Sequence, residues 1–344
     1  MDCTTRRGYR QHQELLQREL GQWAACREIS LTPMHQRIVH TLDWLDLQVL
    51  LGQTKQLRER LLVDAPLRRL LGFEPCHKLP SEATFCRAFA QFAGMGLPAR
   101  MHEALIRSHL AGSLIGHIAR DSTAIAARER AAACVRAPKV TKRRGCRPAG
   151  EPPAAPRSRI PAQLLQTPEQ ALAELPKACN KGKKRDAHGN INAWIGYKLH
   201  LDVACCGVPI TAALTSASVH DNQLSVPLAR LSAQRVTSLS ALMDAAYDSE
   251  ALRALERDLG HVPIVAINGR GRSEPPTLDA AEKKRFGVRT VVERVNGRLK
   301  DSFACNSVWV KGHAKVLCHT MFAVLALSVD ALMRLMLFEP VPQS

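Results

Sequence analysis

The stretch from Lys284 to Asp301, KRFGVRTVVERVNGRLKD, sets one carboxylate among cations at helical spacing. Written as one helix, it places Phe286, Arg289, Glu293 and Lys300 close to one face, because residues three, four and seven apart overlie one another. Val291, Val292, Val295 and Leu299 form an apolar stripe that can seat the helix on a core. Glu293 between Arg289 and Lys300 suits a metal ligand beside groups that grip phosphate. A solvated helix with weak local ion pairs would have the same composition.

Two further acids stand where a sheet could bring them to that helix. The segment SLIGHIARDSTAIA, residues 113–126, reads as a strand with Asp121 near its middle. A carboxylate there is costly to bury unless it is paired or holds a metal. Alternatively, Asp121 begins the next turn. Leu239 to Met243 reads as a buried strand ending at Asp244, followed by Tyr247, Asp248 and an amphipathic helix after Ser249. Open α/β sheets place their chemistry at the carboxyl ends of strands. One of Asp244 and Asp248 can instead be a helix cap.

The elements that would position these acids follow from the pattern. AWIGYKLHLDVACC alternates Ile195, Tyr197, Leu199, Leu201 and Val203 inward, Gly207 turns the chain, and VPITAALTSA returns as an antiparallel partner. His220-Asp221-Asn222 opens a helix, with Asp221 as its simplest N-cap and His220 able to lie near the site. HVPIVAIN is a fifth strand, followed by the basic turn Gly269-Arg270-Gly271-Arg272. Residues 127–190 are rich in Pro, Gly, Lys and Arg and read as a flexible insertion with one short helix near Thr167 to Leu175. In it, Lys142, Arg143, Arg144, Lys181, Lys183, Lys184 and Arg185 either touch phosphates or are simply solvated.

Residues 1–110 read as helical. Leu15, Leu16, Leu20 and Trp23 recur at helical spacing, and Thr32-Pro33 caps a second apolar run. A helix from Pro66 to Leu71 stops at Gly72, and Ser81 caps another whose Phe85, Phe89 and Phe92 form a core stripe. Helix, glycine turn, Pro-Ser and helix are compatible with a helix-turn-helix-like unit.

The whole chain of 344 residues can hold two domains, and its 46% hydrophobic content marks it as globular. A net charge of +17 points to a polyanionic partner. Nucleic acid fits better than membrane, since the basic residues are dispersed and no lipid signal accompanies them. The eleven cysteines contain no CxxC pair and fit reduced thiols in a cytoplasm. The tract from Val316 to Leu337 is broken by His319, Asp330 and Arg334, and reads as a buried C-terminal helix rather than a membrane span. The absence of a P-loop or dinucleotide fingerprint argues against nucleotide hydrolysis or an organic cofactor.

Phe286-x2-Arg289-x3-Glu293-x6-Lys300 resembles the Y-x2-R-x3-E-x6-K motif of DDE transposases encoded by bacterial insertion sequences, with Phe in place of Tyr. The D-S-T segment at Asp121, the D-x-x-Y-D segment at Asp244, the block around Tyr197 to Pro209 and the later His220-Asp221 are similar to that family in the same order. So, less specifically, is LLGFEPCHKLPSEATFCRAFAQF in the N-terminal region.

The resemblance implies an RNase H-like mixed five-stranded sheet with flanking helices over residues 111–330. An all-helical DNA-binding or dimerisation domain would precede it at 1–110, and a tail would follow at 331–344. It also implies Asp121, Asp244 and Glu293 as catalytic ligands of two Mg2+ (or Mn2+) ions. Phe286, Arg289, Arg298, Lys300, Arg270 and Arg272 are the implied DNA contacts. The expected partners are double-stranded DNA at terminal inverted repeats and target sites, and a second copy of the chain. The expected location is cytoplasmic, at the nucleoid. A catalytically silent DNA-binding protein derived from a transposase is the alternative.

Overall fold

A computed structural model of the chain describes residues 54–65, 68, 73, 78–133, 159–185, 189–267, 277–306 and 308–338. The helices expected before residue 54, the helix from Pro66 to Leu71, the turn with Arg270 and Arg272, and Lys142, Arg143 and Arg144 lie outside these residues.

The chain enters through α1 (Thr54–Val63), α2 (Glu82–Met95) and α3 (Leu97–Leu110). Ser81 caps α2, its hydroxyl accepting from the Thr84 N–H at 3.3 Å. Phe85, Phe89 and Phe92 are buried along one side of α2, as their spacing requires; each contributes about 1.5–3 kcal/mol of burial. Gly96, in the left-handed region at φ 61°, ends α2 and lets α3 start at once.

Next come β1 (Leu114–Ala126), α4 (Ile160–Leu164), α5 (Pro168–Ala173), β2 (Asn180–Arg185), β3 (Ile191–Ala204), β4 (Pro209–Ser216), α6 (Ser225–Ala233), β5 (Thr237–Met243), α7 (Glu250–Asp258) and β6 (Val262–Val265). The chain closes with α8 (Ala280–Phe286), α9 (Thr290–Asp301) and α10 (His313–Phe338). The fold is mixed α/β, built on one six-stranded sheet in the order β2-β3-β1-β5-β6, with β4 also on β3. β1 lies at the centre, antiparallel to β3 and parallel to β5. One sheet face packs beneath α9 and α10 through Leu199, Leu201, Val292 and Val324. The other packs on α6 and α7 through Met243, Val226 and Leu252.

α10 is long and apolar enough to cross a membrane by composition alone, but most of it is buried inside the protein. It lies between the sheet core and the Phe-lined face of α2 and α3, so its apolar surface is satisfied by the fold.

Two expectations change. The insertion contains more order than its composition suggests: besides the Thr167-capped helix, it supplies a sixth strand, β2, laid antiparallel on the first half of β3. The backbone of Gly182 admits the Trp194 indole against it, a contact no Cβ would allow. The stretch from Lys284 to Asp301 is also not one helix. A 3-10 turn at Gly287–Arg289 separates α8 from α9, and glycine's poor helix propensity at that point favours the break.

Gly196 is the least replaceable backbone position in the sheet. Its φ is 154°, and an added Cβ would collide with the Ile125 carbonyl oxygen. Gly196→Ala should cost about 3 kcal/mol or more. Denaturant unfolding of the two proteins measures this, and a difference under about 1 kcal/mol would contradict the assigned geometry.

Candidate active site

In the parallel ladder Arg120 of β1 stands beside Met243 of β5. The residues that follow are Asp121, still in β1, and Asp244, just past the end of β5, so two acids sit side by side at the same level. β5 ends at Met243, and Asp244 turns the chain, its Oδ1 accepting the Ala246 N–H at 2.9 Å. Asp244 is therefore both a cap and a site acid. The cap bond holds one oxygen and leaves the other, Oδ2, to face elsewhere.

Asp121 points to the face covered by α9. It is 7% exposed, and its Oδ2 accepts from Asn296 Nδ2 of α9 at 3.2 Å. α9 is seated there by Val291, Val292, Val295 and Leu299, all buried, the stripe expected from the spacing. Glu293 lies on the same helix with its side chain about half exposed.

The three carboxylates converge on the guanidinium of Arg289, in the 3-10 turn before α9. Nη2 lies 3.5 Å from Asp121 Oδ1 and 3.7 Å from Asp244 Oδ2, and Nη1 lies 2.7 Å from Glu293 Oε1. Among the described residues no three His, Cys, Asp or Glu side chains are arranged to hold a metal ion without rearrangement; the cation common to the three acids is Arg289. Carboxylate oxygens are hard donors, the type that divalent cations of the magnesium class take. Each of the three accepts a hydrogen bond: Asp121 from Asn296, Asp244 from the Ala246 N–H and Glu293 from Arg289 itself.

The local field follows from burial and charge. Desolvation raises the Asp121 carboxyl above its ordinary value, against the pull of Lys184 and Arg289. Burial also pushes the Lys300 ammonium down, with Lys184 adding to the shift. Lys184 of β2 is therefore electrostatically part of this site, although the sequence placed it in a loop.

The other sequence candidates divide. Phe286 ends α8, part-buried against the core under α9. Arg298 is committed to Asp330 of α10 at 2.6 Å and lies over the Phe303 ring, so it is not a free cation at the site. Asp248 is held by Arg253 at 2.9 Å, the structural role left open for it. Asp221 is not the cap of its turn. His220 Nδ1 accepts the Asn222 N–H, while Asp221 pairs with Lys198 at 2.8 Å. Asn296 was missed by sequence reasoning, although it lies three residues after Glu293, on the same helix face.

Acids from the central strand, from the turn after its neighbour and from one helix thus lie beside the cations Arg289, Lys184 and Lys300. The transposase DDE domain model matches residues 117–329, more than half the chain and a range that includes Asp121, Asp244 and Glu293, and the chain belongs to that family. No curated protein and no solved structure matches the chain.

The raised Asp121 carboxyl has a consequence for stability. Between its ordinary and its folded value the folded state holds more protons, so stability falls as pH rises through that window. Asp121→Asn should therefore raise the melting temperature at pH 7 in metal-free buffer, with the gain shrinking toward about pH 4. Thermal melts across pH check this, and a lower melting temperature at pH 7 would show that Arg289 more than offsets burial.

Proposed function

We propose that this chain is a transposase that cleaves DNA at the ends of its insertion sequence and joins them to a target. Asp121, Asp244 and Glu293 are the catalytic residues. The observation that carries the reading is the approach of three carboxylates, from three separate elements, to one guanidinium in a chain of net charge +17. Family membership supports it from an independent direction.

The three acids would hold Mg2+ or Mn2+, two ions, as hard oxygen donors do. Bound ions of this kind activate a water or 3′-hydroxyl and stabilise the leaving oxygen. The chain's own contribution is positional. Asn296 and the Ala246 N–H each fix one aspartate oxygen and leave the other directed to the shared point. Arg289 neutralises the acids in the free protein, and on leaving them its guanidinium can take a DNA phosphate in two-pronged fashion.

Lys300 and the exposed lysines of β2, Lys181, Lys183 and Lys184, extend positive charge from the site along the sheet edge. In the family reading Phe286 helps hold a displaced terminal base. Its ring can stack but has no hydroxyl to donate. Arg270 and Arg272 belong to the same proposal, as does a homodimer working on paired terminal repeats.

The test uses duplexes made from the DNA on either side of the reading frame. Asp121→Asn, Asp244→Asn and Glu293→Gln should each leave cleavage with Mg2+ below about one thousandth of wild type while binding persists. Wild-type cleavage by any of them sinks the assignment. A protein that binds but never cuts, with Mg2+ or Mn2+, is the silent DNA-binding alternative.

Binding should weaken with salt at a log–log slope of about 0.9 per phosphate neutralised, and Lys184→Ala or Lys300→Ala should each reduce that slope by about one. An unchanged slope removes that lysine from the DNA path.

A further inference from the structure

Arg120 immediately precedes Asp121, so the pleat of β1 turns it to the opposite sheet face. There it is 2% exposed and wholly engaged. Nε and Nη2 donate to the two oxygens of Asp202 on β3, at 2.7 and 2.8 Å. Nη1 donates to Glu256 of α7 at 3.0 Å and also approaches Met243 Sδ of β5 at 3.4 Å. The partners are tied in turn. Glu256 meets His261 Nδ1 at 2.8 Å, and Asp202 accepts from the Ser232 hydroxyl of α6 at 2.7 Å. The β3–β4 register shifts between Asp202 and Val203, where the pairing passes over Ile210 of β4, beside the residue that meets Arg120.

This network is a poor device for stability alone. Removing several charges from water consumes most of what their attraction returns, and an apolar trio would pack as well. What a two-pronged arginine supplies is orientation. Its location gives that orientation a use. Arg120 is opposite Asp202 on β3 and beside Met243 on β5, and the residues that follow Arg120 and Met243 are Asp121 and Asp244.

We propose that Arg120, with Asp202 and Glu256, is a positioning clamp on the back of the sheet that sets the offset between Asp121 and Asp244 on its front. Arg120 touches no substrate and acts through the strands it ties together. The proposal rests on the reading of those aspartates as catalytic.

The experiment compares full-length wild type, Arg120→Lys, the triple variant R120M/D202N/E256Q, and Asp121→Asn as control. Each is assayed on duplex from the DNA bordering the reading frame, with Mg2+ titrated. Lysine keeps the charge but cannot make the two-pronged contact. The triple variant leaves no charge of this trio buried alone.

Both should fold cooperatively and bind the duplex with the wild-type Kd. The cleavage rate at saturating DNA should fall roughly 100-fold, the scale of an ångström-sized misplacement. The Mg2+ needed for half-maximal cleavage should rise about 10-fold, as for groups that orient metal-holding side chains. KM for DNA should not change.

A folded variant that cleaves at the wild-type rate with the wild-type Mg2+ requirement overturns the clamp. So does failure of both variants to fold, which would make the network a folding element. Cleavage by Asp121→Asn would instead retire the acid-site reading itself, and the clamp with it.

Discussion

Two consecutive residues of the central strand carry charges that must both leave water. Arg120 goes to one sheet face and Asp121 to the other, and each needs its own partners. An isolated buried charge is among the most costly features a fold can contain. Much of the arrangement around β1 can be understood as meeting that cost on both faces at once. Behind, Asp202 and Glu256 close on the guanidinium. In front, Asn296 and Arg289 close on the carboxylate.

The two solutions differ in kind. The rear network is paired atom for atom: burial alone would pull the Arg120 guanidinium down, yet Asp202 and Glu256 hold it above its ordinary value. The front is not balanced. Burial keeps the Asp121 carboxyl raised despite Lys184 and Arg289, and the Arg289 contacts to the two aspartates, at 3.5 and 3.7 Å, are long for a charge-assisted bond. The front face therefore keeps unbalanced charge, whereas the rear ion network is complete.

The apolar helix α10 has a related role. It contributes to the core beneath α9 and to the core of α2 and α3. Its length and hydropathy reflect service to two packed surfaces; His319 and Ser328 are buried in it with backbone partners, while Asp330 and Arg334 pair on its outer side.

Much of the front face was legible in the sequence. The valine and leucine stripe of α9 predicted which side of that helix would be buried, and Glu293 and Lys300 follow from the same period. Strand β5 ending at an acid, and the β3–β4 turn at Gly207, could be read from composition and alternation. These are local properties, fixed by the two-residue and 3.6-residue repeats of backbone geometry. Contacts between distant segments have no such repeat. Nothing in the chain announces that Arg289 serves all three acids, that Asn296 holds Asp121, that Arg298 turns away to Asp330, or that Arg120 finds Asp202 eighty-two residues later. A lysine-rich stretch becomes an edge strand only because the first half of β3 offers it unpaired backbone. The sequence by itself determined most of the elements and the buried stripes of α2 and α9, but not β2, the break before α9, or the exposure of Ile195 and Leu239. Only the tertiary structure decided which charges meet, because partner choice among buried ions depends on which faces the sheet brings together.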